Sequence, residues 1–370
     1  MINSYFDLLK NRVLLLGGFH NAHLHLDRAG TYSLTQDLLM KTGVSDGSTL
    51  PLEKKHGVIP MIHNSSAFDP NNYQKRVHFY LKQLVDLGTR RADTFVDVTA
   101  DRVALVGLEI FREFKKDFEG KMDLRIGCYS PFGFSDKTPS GWNLIREAVE
   151  LSDFIGLLPE RDDHALYPSH IGFEECCRRA IHLAMEFGKE LHIHIDQANH
   201  CHERDTERFL DVLDKIDPKI DRSNFVVWLV HVISPSTFPD TRFNEIVERI
   251  LKHNIGIITC PSGAISMRQI RPIQSPISNS IARVLDFLAA GIPVRIGSDN
   301  ICDITMPMGT CDLMHELFVM ANALRFYNVD VLAHLAAGLE LSPELQKLVR
   351  NHLEDDRQEI EKVLQRYDIQ

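Results

Sequence analysis

Histidine is the residue type best placed to do chemistry in this chain, with eighteen copies among 370 residues. Asn21-Ala22-His23-Leu24-His25-Leu26-Asp27 carries an H-x-H pair. In an extended chain, side chains at i and i+2 point to the same side, so His23 and His25 can grip one ion. Further along stand His192-Ile193-His194-Ile195-Asp196-Gln197, then Val230-His231, then Gly297-Ser298-Asp299. Each piece alone has an ordinary structural explanation, such as a satisfied core histidine or an aspartate that forms a turn or caps a helix. Their joint placement at the ends of extended runs points to a metal site. Imidazoles with a carboxylate suit zinc or ferrous iron by ligand type. A bound zinc lowers the pKa of its water from about 16 to about 7, and the resulting chemistry is hydrolysis at an electrophilic carbon.

Short β-branched or leucine-rich runs must position these residues, and they alternate with helix-period segments along the chain. Eight are legible: Val13 to Leu16, Thr94 to Val98, Leu124 to Cys128, Phe154 to Leu158, Glu190 to Ile195, Phe225 to Val230, Gly256 to Thr259 and Val294 to Gly297. Helices are expected over Tyr73 to Leu87, Val106 to Phe118, Phe173 to Phe187, Thr206 to Ile216, Arg242 to Lys252 and Ile281 to Ala290. Eight such units predict an α/β fold, a (β/α)8 TIM-type barrel, whose usual size is about 250 residues. The excess falls into two places. Thr31 to Pro70, rich in Gly, Ser, Pro and Asn, is expected to be a long loop after the first strand and a candidate lid. The segment from Ser342 onward is expected to add one or two C-terminal helices. With no repeat and no linker, residues 1–370 read as a single domain.

Composition excludes several classes. Lys plus Arg number 41 against 51 Asp plus Glu, a net charge of −10 with no basic runs, which argues against nucleic acid as a partner. No stretch approaches the roughly 18 apolar residues that span a bilayer. The run Val13 to Phe19 lacks the flanks of a signal peptide, so the chain reads as cytoplasmic, with a small molecule as its partner and a homo-oligomer compatible with this. Seven cysteines without a C-x-x-C pair speak against disulfides and thiolate zinc sites. The H-x-E…P-C-x-x-C signature of zinc nucleobase deaminases, the G-x-S-x-G elbow and both glycine-rich nucleotide loops are missing.

From Gly17 to about Leu341 the sequence resembles the amidohydrolase superfamily, and within it the cytosine deaminase-like group. The resemblance is carried by Asn21 to Asp27, Phe95-Val96-Asp97-Val98, Ile193 to Gln197, the Ser298-Asp299-Asn300 to Asp303 region and Pro307-Met308-Gly309-Thr310. It implies that His23, His25, His194 and Asp299 ligate one zinc or iron ion. It further implies that Asp299 also acts as base and that His231 bonds the attacking water. No lysine stands placed as a carbamylated bridge, so a single metal is expected. His192 is read as core. The family's appended β-sandwich finds no room, since only a dozen residues precede the first expected strand.

Three departures bear on substrate. Deaminases of this group carry a glutamate where this chain has Gln197, and an amide has no proton to shuttle. Losing a general acid costs about 100 to 10,000-fold. Either Asp299 alone manages the proton, as the resemblance implies for amide-cleaving members, or another group substitutes. His200, His202 and Glu203 follow closely but read as solvated loop residues. Phe132 stands where a pyrimidine-reading glutamine is usual, and Asn300 where a second aspartate is; these argue against cytosine itself. Phe132 could stack on a flat ligand or serve the core. The expected function is metal-dependent hydrolysis of a non-peptide C–N bond in a small nitrogen-containing molecule, with an amide or cyclic amide slightly favoured. Deamination of another heterocyclic amine is the alternative. A silent ligand-binding barrel is the rival of another class, and Gln197 is its best support.

Overall fold

A computed structural model describes residues 4–41, 43, 50, 52–216, 225–266 and 281–366. In chain order the elements begin α1 (Tyr5–Leu15), β1 (Phe19–Leu24), α2 (Tyr32–Lys41), α3 (Leu52–His63), α4 (Pro70–Asp86) and β2 (Thr89–Asp97). They continue with α5 (Val106–Asp117), β3 (Asp123–Tyr129), α6 (Ser140–Leu151), β4 (Phe154–Leu157), α7 (Phe173–Phe187), β5 (Glu190–Ile195), α8 (Asp205–Asp214) and β6 (Val227–His231). Then follow α9 (Asp240–Lys252), β7 (Gly256–Thr259), α10 (Pro261–Ile265), α11 (Val284–Ala290), β8 (Val294–Ile296), α12 (Leu313–Leu324), α13 (Val329–Ala336) and α14 (Pro343–Arg366). The eight strands form one parallel sheet in sequential order, and the expected (β/α)8 barrel is the fold observed.

Alternation along each strand divides the core. Leu191, Ile193 and Ile195 of β5 face the helices in the large apolar shell, while His192 and His194 face the interior, as period-two side-chain geometry requires. Inside, Phe95, Tyr129, Phe154 and Leu158 fill one half, and Ala22, Trp228, Val230, Ile258 and Cys260 the other. Gly156 makes room for this packing: a Cβ there would lie 2.2 Å from the Phe95 ring. His192 stacks on Phe154 at 4.3 Å and is a core residue, as expected.

The barrel closes between the chain after β8 and the end of β1. Asp299 N–H donates to His23 O at 2.9 Å, and His25 N–H to Asp299 O at 3.4 Å. Among the described residues all named strands belong to this sheet, and no helix is long and apolar enough to cross a membrane.

Two expectations about elements are corrected. Val13 to Leu16 is not a strand: it ends α1, which Ser4 caps through its side chain. A short apolar run fits either periodicity, and here Leu9 and Val13, four residues apart, form the buried stripe of a helix. The strand begins at Phe19 and contains His23 itself. Nor is Thr31 to Pro70 a long loop, since it holds α2 and α3; residues 42, 44–49 and 51 lie outside the described set. Gly57 and Pro60 read as breakers, yet Pro60 sits inside α3. Burial of Leu39, Val58, Ile62 and Ile304 in one apolar cluster overrides the weak helix propensity of Gly57 and Pro60. The C-terminal segment is a single helix, α14, and Tyr367 lies outside the described residues.

Candidate metal centre

Strand ends bring the expected ligands to one place. His23 from β1 lies with its ring centre 5.1 Å from that of His25 and 4.8 Å from that of His194 on β5. Asp299 Oδ1 is 3.6 Å from His23 Nε2 and 3.7 Å from His25 Nε2. One ligand atom each from His23, His25 and His194 lies within 4.8 Å of the others, and the same holds for His23, His231 and Asp299. All five side chains are buried. Two of them sit on strained backbone: His231 has φ +77° and Asp299 φ +59°. Such conformations cost about 1–3 kcal/mol and cluster at functional sites.

The cluster is poised to accept a cation. His194 Nδ1–H donates to Leu157 O at 3.1 Å, which turns the lone pair of Nε2 inward. That Nε2, both ring nitrogens of His23 and Nδ1 of His231 have no hydrogen-bond partner among the described residues. An unmet buried polar atom costs about 1–3 kcal/mol, and a shared metal ion would satisfy several of these at once. Burial, then the Arg28 charge and neighbouring imidazoles, hold His25 well below its usual pKa; burial and the neighbouring imidazoles of His23, His231 and His56 do the same for His194. Burial lowers His231 to about 4 against the pull of Asp299. Burial raises the Asp299 carboxyl, but His23 and His231 more than offset that and leave it below the ordinary range. His25, His194 and His231 are therefore neutral imidazoles beside an anionic carboxylate, the protonation state that ligation needs. His25 is the exception in orientation: its Nδ1 accepts from Arg28 Nη2 at 2.7 Å. Ligation through Nε2 requires that contact to loosen, and Asp97 Oδ2, 3.4 Å from Arg28 Nε, is there to hold the guanidinium. Phe95 and Tyr129 form an apolar floor, 4.6 Å from His23 and 5.1 Å from His194 between ring centres.

The remaining expected site residues stand outside this cluster. Gln197, 7% exposed, has an unpartnered Nε2 and lines a cavity with Glu160, Arg161, Glu203 and Asp205. Asn300 Nδ2 donates to Asp303 Oδ2 at 2.5 Å, and Asp303 in turn accepts from the backbone of Thr305 and Met306. Asn300 thus braces a loop. Phe132 is half-buried, 6.0 Å from the His63 ring.

Sequence reasoning missed the polar groups around the site. His63 on α3 bonds Asp101 Oδ2 at 2.7 Å and Asp97 Oδ2 at 3.0 Å, and His56, about two turns earlier on the same helical face, is buried beside the charges of Arg161, Arg28, Asp97 and Asp299. The spacing His56, Ile59, His63 is a helical stripe that could have revealed them. Glu203 is not a solvated loop residue: it is 9% exposed and accepts from Ala198 N–H at 2.9 Å and from the Ser234 hydroxyl. His200 is half-buried and His202 exposed.

No protein-family model matches the chain. An uncharacterized protein of Haemophilus influenzae is 25% identical over 263 residues, covering 70% of this chain and 87% of that one. Among solved structures, the 5-methylcytosine deaminase of Klebsiella pneumoniae liganded with 5-fluorocytosine superposes with a TM-score of 0.71 at 20% identity, over 86% of this chain and 72% of that one. The N-isopropylammelide isopropylaminohydrolase of Burkholderia multivorans gives a TM-score of 0.64 at 17% identity, over 87% and 73%. The zinc-complexed atrazine chlorohydrolase of Arthrobacter aurescens gives 0.53 at 15% identity, over 83% and 64%. At these identities the likeness is one of fold.

Proposed function

We propose that the protein is a metal-dependent hydrolase of the amidohydrolase type, acting on a non-peptide C–N bond of a small nitrogen-containing molecule. The observation that carries this is the convergence of His23, His25, His194 and Asp299, with buried nitrogens that have no hydrogen-bond partner among the described residues. Those residues would hold one zinc or iron ion, which when bound supplies water activated near neutral pH. The fold neighbours, among them a zinc-complexed hydrolase and a deaminase, support the same reading.

The chain's own groups have separable tasks. Asp299, anionic in its buried setting, takes the proton of the attacking water and holds it at its carboxylate. His231 orients that water and donates to the oxygen that gains charge as the carbon becomes tetrahedral. Collapse breaks the C–N bond, and the proton carried by Asp299 leaves with the nitrogen. Phe95 and Tyr129 exclude bulk water from below, while α3 covers the mouth. Gln197 binds and does not titrate, which favours an amide or cyclic amide.

A second reading has its own observation. Glu203 lies nearly buried beside Gln197, and burial with Asp196 and Asp205 raises its carboxyl well above the usual range. A protonated carboxyl there could serve the leaving amine of a heterocycle, giving a deaminase with a displaced proton donor. Purified metal-loaded protein assayed over amides and aminoheterocycles separates the two: carboxylate formation supports the first, and ammonia from an aminopyrimidine or aminotriazine with no amide turnover defeats it. A silent binding barrel would turn over neither and would keep its ligand on Asp299→Asn.

A further inference from the structure

The loops after β4 and β5 bring Glu160, Glu203 and Asp205 together, so that one carboxylate oxygen from each lies within 4.8 Å of the others. Their placement is built in: bonds from Ala198 N–H and the Ser234 hydroxyl fold Glu203 back beside Gln197, and Asp205 N–H is anchored to Asp196 Oδ1 at 3.0 Å. Like charges this close repel. Burial pushes Glu160 up to about 7, and burial with Asp196 and Glu160 pushes Asp205 up to about 8. The two guanidiniums nearby make their closest bonds elsewhere. Arg208 bonds Glu174 at 2.7 Å and also Asp163, staying 3.7 Å from Asp205. Arg161 donates to the Tyr167 hydroxyl and lies 4.4 Å from that ring's centre. A second, independent observation points to a ligand. Gln197 lines the same cavity, is more than nine-tenths buried, and its Nε2 has no partner among the described residues. Glu160 and Glu203, in no ion pair among the described residues, Asp205, paired with Arg208 only at 3.7 Å, and an amide donor short of an acceptor call for one molecule that carries both a cation and an acceptor.

We propose that Glu160, Glu203, Asp205 and Gln197 form the specificity site for a positively charged nitrogen group of the substrate, with Gln197 donating to an acceptor atom next to it. This deepens the hydrolase reading and rests on it only in calling the ligand a substrate. The substrate is then a small amide or heterocycle bearing an ammonium, amidinium or guanidinium arm, and the cluster selects it against neutral analogues by charge.

Benzylamine and its neutral isostere benzyl alcohol, titrated calorimetrically into the zinc-loaded full chain, read this site without requiring turnover. Benzylamine is expected to bind at least about tenfold tighter, and Glu160→Gln/Asp205→Asn to abolish that ratio while leaving benzyl alcohol affinity, zinc content and melting temperature unchanged. Equal binding in the parent, or a preference that survives the double variant, overturns the proposal. So does a second equivalent of Mn2+ that the double variant loses when no amine preference exists, since the carboxylates would then serve a metal. Should the double variant fail to fold, Glu160→Gln alone carries the same comparison. An amine preference without any turnover leaves this site standing and sinks the hydrolase; turnover of neutral substrates without the preference does the reverse.

Discussion

Asp299 meets His23 twice, once through the backbone and once through the side chain. Its N–H donates to His23 O at 2.9 Å, and its Oδ1 lies 3.6 Å from His23 Nε2. Closure of the barrel and assembly of the candidate metal site are therefore the same event. Asp299→Asn keeps the backbone bond and the side-chain shape but removes the charge and the proton acceptor. Activity should fall about 100 to 10,000-fold and metal content should drop, with a melting temperature close to that of the metal-free parent. Unchanged zinc by elemental analysis would remove Asp299 from the ligand set.

Gly297 sits at the same seam. A Cβ there would stand 2.6 Å from His23 Cβ and 2.7 Å from His23 O, and neither neighbour is the free end of a flexible chain. Gly297→Ala should cost about 1–3 kcal/mol of stability through overpacking and weaken metal binding as His23 is displaced. Denaturant unfolding measures the first effect and a competitive zinc titration the second; an unaffected zinc affinity would show that His23 does not need this contact.

Removing the metal should leave the barrel folded but weaker, because buried nitrogens of His23, His194 and His231 then have no partner among the described residues. A ligand held at 100 times its dissociation constant adds about 2.7 kcal/mol. Chelation should thus lower the melting temperature, and zinc or ferrous iron should restore it. A curve indifferent to chelator and metal would argue for a cluster that binds no ion.

Much of this was legible before any coordinates. Barrels present their strand ends at one mouth, so the places of His23, His25, His194, His231 and Asp299 after extended runs already suggested a shared site, and the family resemblance supplied their expected roles. The covering elements were not. Val13 to Leu16 carries too few residues to distinguish periods, and α3 hides behind Gly57 and Pro60. Glu203 looked like a loop carboxylate because its burial comes from Ala198 and Ser234, the latter 31 positions away. No local pattern encodes such a contact.

His63 on α3 should give the protein a pH-dependent clasp over the site. Its ring, fully buried, donates to Asp101 and Asp97; burial lowers its pKa, but these two carboxylates outweigh that and raise it to about 9. Since the folded pKa exceeds the unfolded value of about 6.5, the stabilisation is complete below about 6.5, fades through that interval and is gone above about 9. That rise corresponds to a gain on the order of 3 kcal/mol, which is the same interaction that holds Asp97 and Asp101 below the usual carboxylate range. His63→Gln keeps hydrogen-bonding capacity without the charge. The stability difference between parent and variant, measured by urea unfolding at several pH values, should be largest near pH 6 and shrink toward zero by about pH 10. Asp27, raised to about 7 by burial and by Asp97 and pulled down by His63 among others, titrates in both proteins, and only the part of its shift that His63 causes enters the difference. A gap that stays constant across that range would mean His63 is neutral in the folded protein and that α3 is held by packing alone.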